Sequence, residues 1–207
     1  MTVKIKICGI TELAEIDAAV KSGADALGFV FYEKSKRAVN IEQARQLIAA
    51  VAPFVQTVGL FVNHSAEFVR QVIDKTALDL LQFHGAEEAD FCRQFGRKWI
   101  KSVPMRNFAT KEDASNFCRK YPDAAGFLFD ACGGKIAGGS GEVFDWEKIP
   151  AIEQPVILAG GLTAENVQRA ISEVRPFAVD VSSGVEAENH KKCLAKIADF
   201  IDKARAV

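Results

Sequence analysis

No stretch of this sequence approaches the ~18 consecutive apolar residues that a membrane-spanning helix requires. The N-terminus carries no long apolar core of a secretory signal either, because Lys4 and Lys6 interrupt it. Charge of one sign is also missing. A formal net charge of −1 gives no electrostatic reason to expect nucleic acid or an anionic membrane as partner. The five cysteines (Cys8, Cys92, Cys118, Cys132 and Cys193) are odd in number and widely spaced, with no C-x-x-C pair. That argues against a disulfide framework or a zinc cluster and suits a reducing cytoplasm. His64, His84 and His190 have no metal-ligand spacing, so no metal site is expected. No G-x-G-x-x-G follows the first strand and no P-loop G-K-[ST] occurs anywhere. No Pro/Gly/Ser-rich linker divides the chain, and residues 1–207 are read as one domain.

What is present is a rhythm. Aliphatic, aromatic and sulfur residues make up 49% of the chain, enough for one substantial core. Eight β-rich runs recur: VKIKI (3–7), ALGFV (26–30), VQTVGLFV (55–62), LDLLQFH (78–84), WIKSV (99–103), AGFLF (125–129), VILAG (156–160) and FAVDVS (177–182). Helical spacing fills the intervals. Thr11 to Ser22 sets Leu13, Ile16, Asp17 and Val20 on one stripe behind a Thr–Glu start. Ile41 to Val51 aligns Ile41, Ala44, Leu47, Ile48 and Val51, and a capping Ser65 precedes Phe68, Val69, Val72 and Ile73. Helices are also expected over 87–95, 111–120, 163–173 and 190–204. Strands that alternate with helices pair in parallel, and one unit every 20–30 residues or so predicts an α/β fold, a (β/α)₈ barrel. The rival is a doubly wound open sheet, which usually has fewer strands.

Barrel chemistry gathers at the C-terminal ends of the strands. Those positions hold Cys8–Gly9, the loop Phe31–Lys36–Arg37, Asn63, His84–Gly85, Asp130, Gly160–Gly161 and Ser182–Ser183–Gly184. The turns LAGGL (158–162) and VSSGVE (181–186) combine glycine with small residues, leaving N–H groups free to donate to an anion. Either alone reads equally well as an ordinary turn; together, in the last two units, they point to a phosphate-bearing metabolite. Asp130 ends an apolar strand before the glycine-rich stretch ACGGKIAGGSGEVFDW, which suits a substrate-covering loop. Its carboxyl could cap a turn or pair with Lys135, or serve as a general acid. Arg37 is either a solvated surface residue or a fork for a substrate carboxylate. His84 is as readily a satisfied barrel-end histidine as a substrate contact.

KICGIT (6–11), SKR (35–37), GLFVN (59–63), LQFHG (81–85), FD (129–130), GGSGEVFDW (138–146), LAGGL (158–162) and DVSSGVE (180–186) together resemble the phosphoribosylanthranilate isomerase family of tryptophan biosynthesis. These matches span all but the last helix, in order. The resemblance implies a cofactor-free (β/α)₈ intramolecular oxidoreductase. It would convert N-(5'-phosphoribosyl)anthranilate to 1-(2-carboxyphenylamino)-1-deoxyribulose 5-phosphate by an Amadori rearrangement. It makes Cys8 the general base and Asp130 the general acid, and gives the anthranilate carboxylate to Arg37. It places Gly160, Gly161, Asp180, Ser182, Ser183 and Gly184 around substrate and phosphate, with His84 in a secondary role. Lys6, two residues before Cys8, faces the same way and could favour a thiolate. Ala38 and Phe83 depart from the family's commoner residues without removing a reacting group. The expected partner is a small phosphosugar and the expected compartment the cytoplasm, with a monomer preferred to a homodimer. Histidine-pathway isomerases would carry an aspartate in place of Cys8. Schiff-base lyases need a lysine that no strand end supplies, and a barrel that only binds its ligand would not need both Cys8 and Asp130.

Overall fold

Eight short strands, β1 (Lys4–Cys8), β2 (Ala26–Val30), β3 (Gln56–Phe61), β4 (Leu80–Phe83), β5 (Lys98–Pro104), β6 (Phe127–Asp130), β7 (Val156–Leu158) and β8 (Ala178–Val181), pair in parallel and in sequence order in a computed structural model of the chain. The sheet closes where β1 pairs with β8, in the register Lys6↔Asp180. Residues 2–131, 143–187 and 190–207 are described. The barrel expected from the sequence is therefore the one observed.

The connecting helices are α1 (Leu13–Lys21), α2 (Ile41–Ala49), α3 (Ala66–Lys75), α4 (Ala89–Arg93), α5 (Lys111–Arg119), α6 (Val167–Val174) and α7 (Leu194–Arg205). Between β6 and β7 the described residues form only a 3₁₀ turn at Trp146–Lys148. The anticipated loop over Asp130 and its GGSGE segment, with Cys132 and Lys135, falls largely outside the described residues.

Local signals account for most helix starts. Ser65 accepts from the Phe68 N–H at 3.2 Å, and Thr110 forms a reciprocal box with Asp113. The expected stripe of α1 is rotated: Leu13 and Asp17 are exposed, while Glu15, Ile16 and Ala19 face inward. The cause is Glu15. Its Oε2 accepts from the N–H groups of Thr11 and Glu12, and its Oε1 from the N–H of Lys192. A carboxylate with that many partners is buried in preference to a leucine.

Strand alternation sorts side chains into two layers. Outward residues such as Ile5, Ile7, Phe29, Phe61, Phe83 and Phe127 pack under the helices. Inward ones fill the lumen: Leu80, Ile100, Leu128, Ile157, Ala159 and Ala178 below, with Cys8, Val30 and Leu60 at the mouth. One outward residue is a lysine. Lys101 is fully buried, donating to the Phe83 and Gly85 carbonyls at 3.2 and 2.6 Å and to Glu87 at 3.1 Å. Glu87 also accepts from the N–H groups of Asn63 and Gly85. This pair fixes the turn after β4, which carries His84.

Candidate active site

Cys8 and Asp130 are the last residues of β1 and β6. Both are buried but reach the surface, at 5% and 8% exposure. Lys6 lies on the same inward face as Cys8 and pairs with Asp180 at 2.9 Å. Gly28, opposite Cys8 on β2, leaves the space they need, since a Cβ there would lie 2.8 Å from the Cys8 sulfur and 3.2 Å from the Lys6 stem. Burial alone would lower the Lys6 ammonium, but Asp180 and Cys8 together hold it above the ordinary lysine range. Lys6 is thus a cation beneath the thiol, locked by a buried carboxylate. Asp180, expected among the substrate contacts, is the partner of that cation.

Gly9 answers why glycine follows the cysteine. Its φ of +84° suits a residue without a side chain, and a Cβ would sit 2.6 Å from Cδ of Arg37. The Arg37 stem therefore lies flat on the Cys8–Gly9 turn. One edge of its guanidinium is held: Nε and Nη2 fork onto Glu186 at 2.5 and 2.9 Å. Glu186 also accepts from Lys192 at 2.8 Å. Burial would raise the Glu186 carboxyl, but Arg37 and Lys192 outweigh it and hold it below the usual range.

On the other side of the mouth, Asp130 meets His84, with Nε2 and Oδ2 3.5 Å apart. The His84 Nδ1 is 3.2 Å from the Gln82 amide. Gly160, at φ +82°, lets β7 approach Asp130, whose Oδ1 would be 2.9 Å from a Cβ. Gly184 packs on the Leu162 carbonyl, bringing the turns after β7 and β8 together. Ser182 donates to the Cys8 carbonyl at 3.0 Å, which ties the last turn to the first.

A cavity of about 500 Å³ opens along these two turns, bordered by Arg37, Gly161, Ser183, Gly184, Glu186 and Lys196 among others. Cys8, His84, Asp130, Gly160, Asp180 and Ser182 are not in its lining. Gly161, Ser183 and Gly184 of the expected anion-binding turns thus share one cavity with Arg37. Among the described residues no group of His, Cys, Asp and Glu has metal-binding proximity. Glu186 ends the DVSSGVE run, and nothing local in that run marks Arg37, 149 residues away, as its partner. Lys192 and Glu15 meet each other across 177 residues of chain, a contact that no local pattern shows.

The sequence model of the N-(5'phosphoribosyl)anthranilate (PRA) isomerase family matches residues 5–203. The chain belongs to that family. It is 51% identical over 204 residues to N-(5'-phosphoribosyl)anthranilate isomerase of Pseudomonas fluorescens strain Pf0-1, covering 98% of each chain. To the enzyme of Hahella chejuensis it is 49% identical over 200 residues, covering 96% of this chain and 92% of that one. Phosphoribosyl anthranilate isomerase from Thermotoga maritima superposes with a TM-score of 0.86 at 40% identity, covering 99% of this chain and all of that one. A family structure in complex with reduced 1-(o-carboxyphenylamino)-1-deoxyribulose 5-phosphate gives 0.83 at 38% identity, with the same coverage. Family membership, the barrel and the cavity agree.

Proposed function

We propose that this chain isomerises N-(5'-phosphoribosyl)anthranilate in tryptophan biosynthesis, with Cys8 as general base and Asp130 as general acid. One observation carries the reading. A fork-bearing arginine, pressed onto the turn that follows Cys8, borders the same cavity as the glycine-bearing turns after β7 and β8. A substrate with a carboxylate at one end and a phosphate at the other is suited to that cavity, and its sugar then falls to the neighbouring acid and base.

The chemistry requires both. Asp130 gives its proton to the ribose ring oxygen as the C1'–O bond breaks, while the anthranilate nitrogen supplies the electron pair that makes C1'=N⁺. Cys8, as thiolate, then takes the C2' proton, and those electrons form the C2'=C1' bond and neutralise the nitrogen. The resulting enolamine gains a proton at C1' and loses its C2' hydroxyl proton to become the ketone. The two protons taken up balance the two released. Lys6, held by Asp180, lies on the same inward face as Cys8. Arg37 and the turns at Gly161, Ser183 and Gly184 hold the charged ends of the substrate.

Anthranilate fluorescence follows turnover of substrate generated in situ. Cys8→Ala and Asp130→Asn should each lower kcat by at least ~10²-fold, the low end for losing a general acid or base. Wild-type turnover in Cys8→Ala would remove the proposed base. Among the described residues no helix is long and apolar enough to cross a membrane. We place the enzyme in the cytoplasm as a monomer; a structure 36% identical to it is of monomers generated from the dimeric Thermotoga maritima enzyme. Sedimentation at twice the chain mass would overturn the monomer.

A further inference from the structure

The cavity wall carries a carboxylate for which the isomerisation has no use. We propose that Glu186 is a positioning residue that aims Arg37, making residue 186 a determinant of selection for arylamines that bear a carboxylate. This rests on the reading of Arg37 given above.

Glu186 takes one edge of the guanidinium, Nε–H and one Nη2–H, at 2.5 and 2.9 Å. A guanidinium has five N–H groups in a rigid fork. The end-on edge, Nη1 and the second Nη2 proton, has no partner among the described residues. A second carboxylate can dock there side by side, without displacing Glu186. The aim is fixed from behind. The Arg37 stem lies on Gly9. The Glu186 N–H donates to the Ser183 carbonyl at 3.0 Å, and its carbonyl accepts from Lys196 at 2.8 Å. Lys192, which holds Glu186, donates to the Ser182 carbonyl at 3.0 Å and is tied through its own N–H to Glu15 on α1. His190 stands 3.9 Å from the other Glu186 oxygen, with Lys36 at 2.8 Å on its far nitrogen.

Charge points the same way. Two buried or half-buried cations, Arg37 and Lys192, share one carboxylate, so the trio carries one net positive charge, and of the two cations Arg37 is the one on the cavity wall. That matches a monoanionic ligand group. With Glu186 neutralised, the two cations repel, and Arg37 loses the contact that sets its angle.

The test compares two substrates made in situ from ribose 5-phosphate: the glycosylamine of anthranilate and that of aniline, which lacks the carboxylate. For wild type, the ratio of their kcat/KM values measures carboxylate recognition. Glu186→Gln should lower that ratio by about tenfold or more, mainly through KM for the anthranilate compound, with the aniline compound little changed. Glu186→Asp, which withdraws the charge by one methylene, should lower it too and serves if the amide variant does not fold. In an Arg37→Lys background, Glu186→Gln should change the ratio little further, because the fork it aims is gone. A ratio unchanged in both Glu186 variants while Arg37→Lys lowers it overturns the role of Glu186 and leaves Arg37 standing. A ratio unchanged in Arg37→Lys overturns the reading of Arg37 itself. Equal losses on both substrates reduce Glu186 to a structural part.

Discussion

Replacing Asp180 by asparagine would leave Lys6 as a buried ammonium without its counter-charge. The side chains of this pair are 7% and 8% exposed and 2.9 Å apart. Removing one partner of such a pair costs about 3–5 kcal/mol, since the remaining charge keeps its desolvation without its attraction. A melting entropy of about 2.1 cal/mol/K per residue gives roughly 0.43 kcal/mol/K for a chain of this length, so the melting temperature should fall by about 7–12 °C. Circular dichroism at 222 nm reads it directly. Because Asp180 and Cys8 raise the Lys6 ammonium above its unfolded range, the contribution of Lys6 is complete below pH ~10.4 and fades only as pH rises through the higher folded value. In the variant, burial is no longer offset by Asp180 and lowers the Lys6 ammonium, so a melt at pH 9 should show a smaller loss than one at pH 7. The double variant Lys6→Met with Asp180→Leu removes both charges and should recover most of the stability, while leaving the thiol without its cation and kcat low. A melting point for Asp180→Asn within about 2 °C of wild type would refute the account. If turnover nevertheless collapsed, Asp180 would belong to the substrate rather than to Lys6.

Other outcomes follow from the same geometry. Gly9→Ala meets both a φ of +84° and the Arg37 stem at 2.6 Å, so KM should rise and the melting temperature should fall by a few degrees; unchanged kinetics would detach Arg37 from the Cys8 turn. Burial pushes the Cys92 and Cys118 thiols up to about 12, so iodoacetamide at pH 8 followed by peptide mass mapping should leave both unmodified in the folded protein. Labelling of either at the rate of an exposed thiol contradicts the packing described. Glu186 is held below the ordinary carboxylate range, so its contribution to stability is present above pH ~4.3 and is lost as pH falls through its lowered value. Denaturant titrations should thus find Glu186→Gln less stable than wild type at pH 7, with the gap closing below pH 4. A gap that widens in acid would reverse the sign of the argument.

Much of this architecture was legible in residue order. The run ALGFV coincides with β2, and the other strands agree within a few residues at each end. Ends were harder. VILAG stops as a strand at Leu158 because Gly160 and Gly161 turn to positive φ. The helix expected from residue 163 begins at Val167, since Asn166 folds back to accept from the Thr163 N–H in a turn. The inward turn of Glu15 was only half visible, because its bonds to the Thr11 and Glu12 N–H groups are local while the N–H of Lys192 lies 177 residues away. The same holds for the site. Motifs at strand ends pointed to Cys8, Asp130 and Arg37, but pairings such as Lys6 with Asp180 or Arg37 with Glu186 cross more than 140 residues. Local periodicity has no access to such distances. A lysine inside the alternating run KIKIC was the visible hint, since a barrel interior accepts an ammonium only with a partner.

Pairing of β1 with β8 joins the first strand made to the last. Throughout synthesis on the ribosome that first strand presents an open edge whose partner does not yet exist, the situation in which nascent chains stick to one another. Lys4 and Lys6 sit on that edge, and their charges discourage foreign strands from docking there. The cation that the closed barrel buries beneath the sulfur is thus one that an unfinished sheet would present on its open edge.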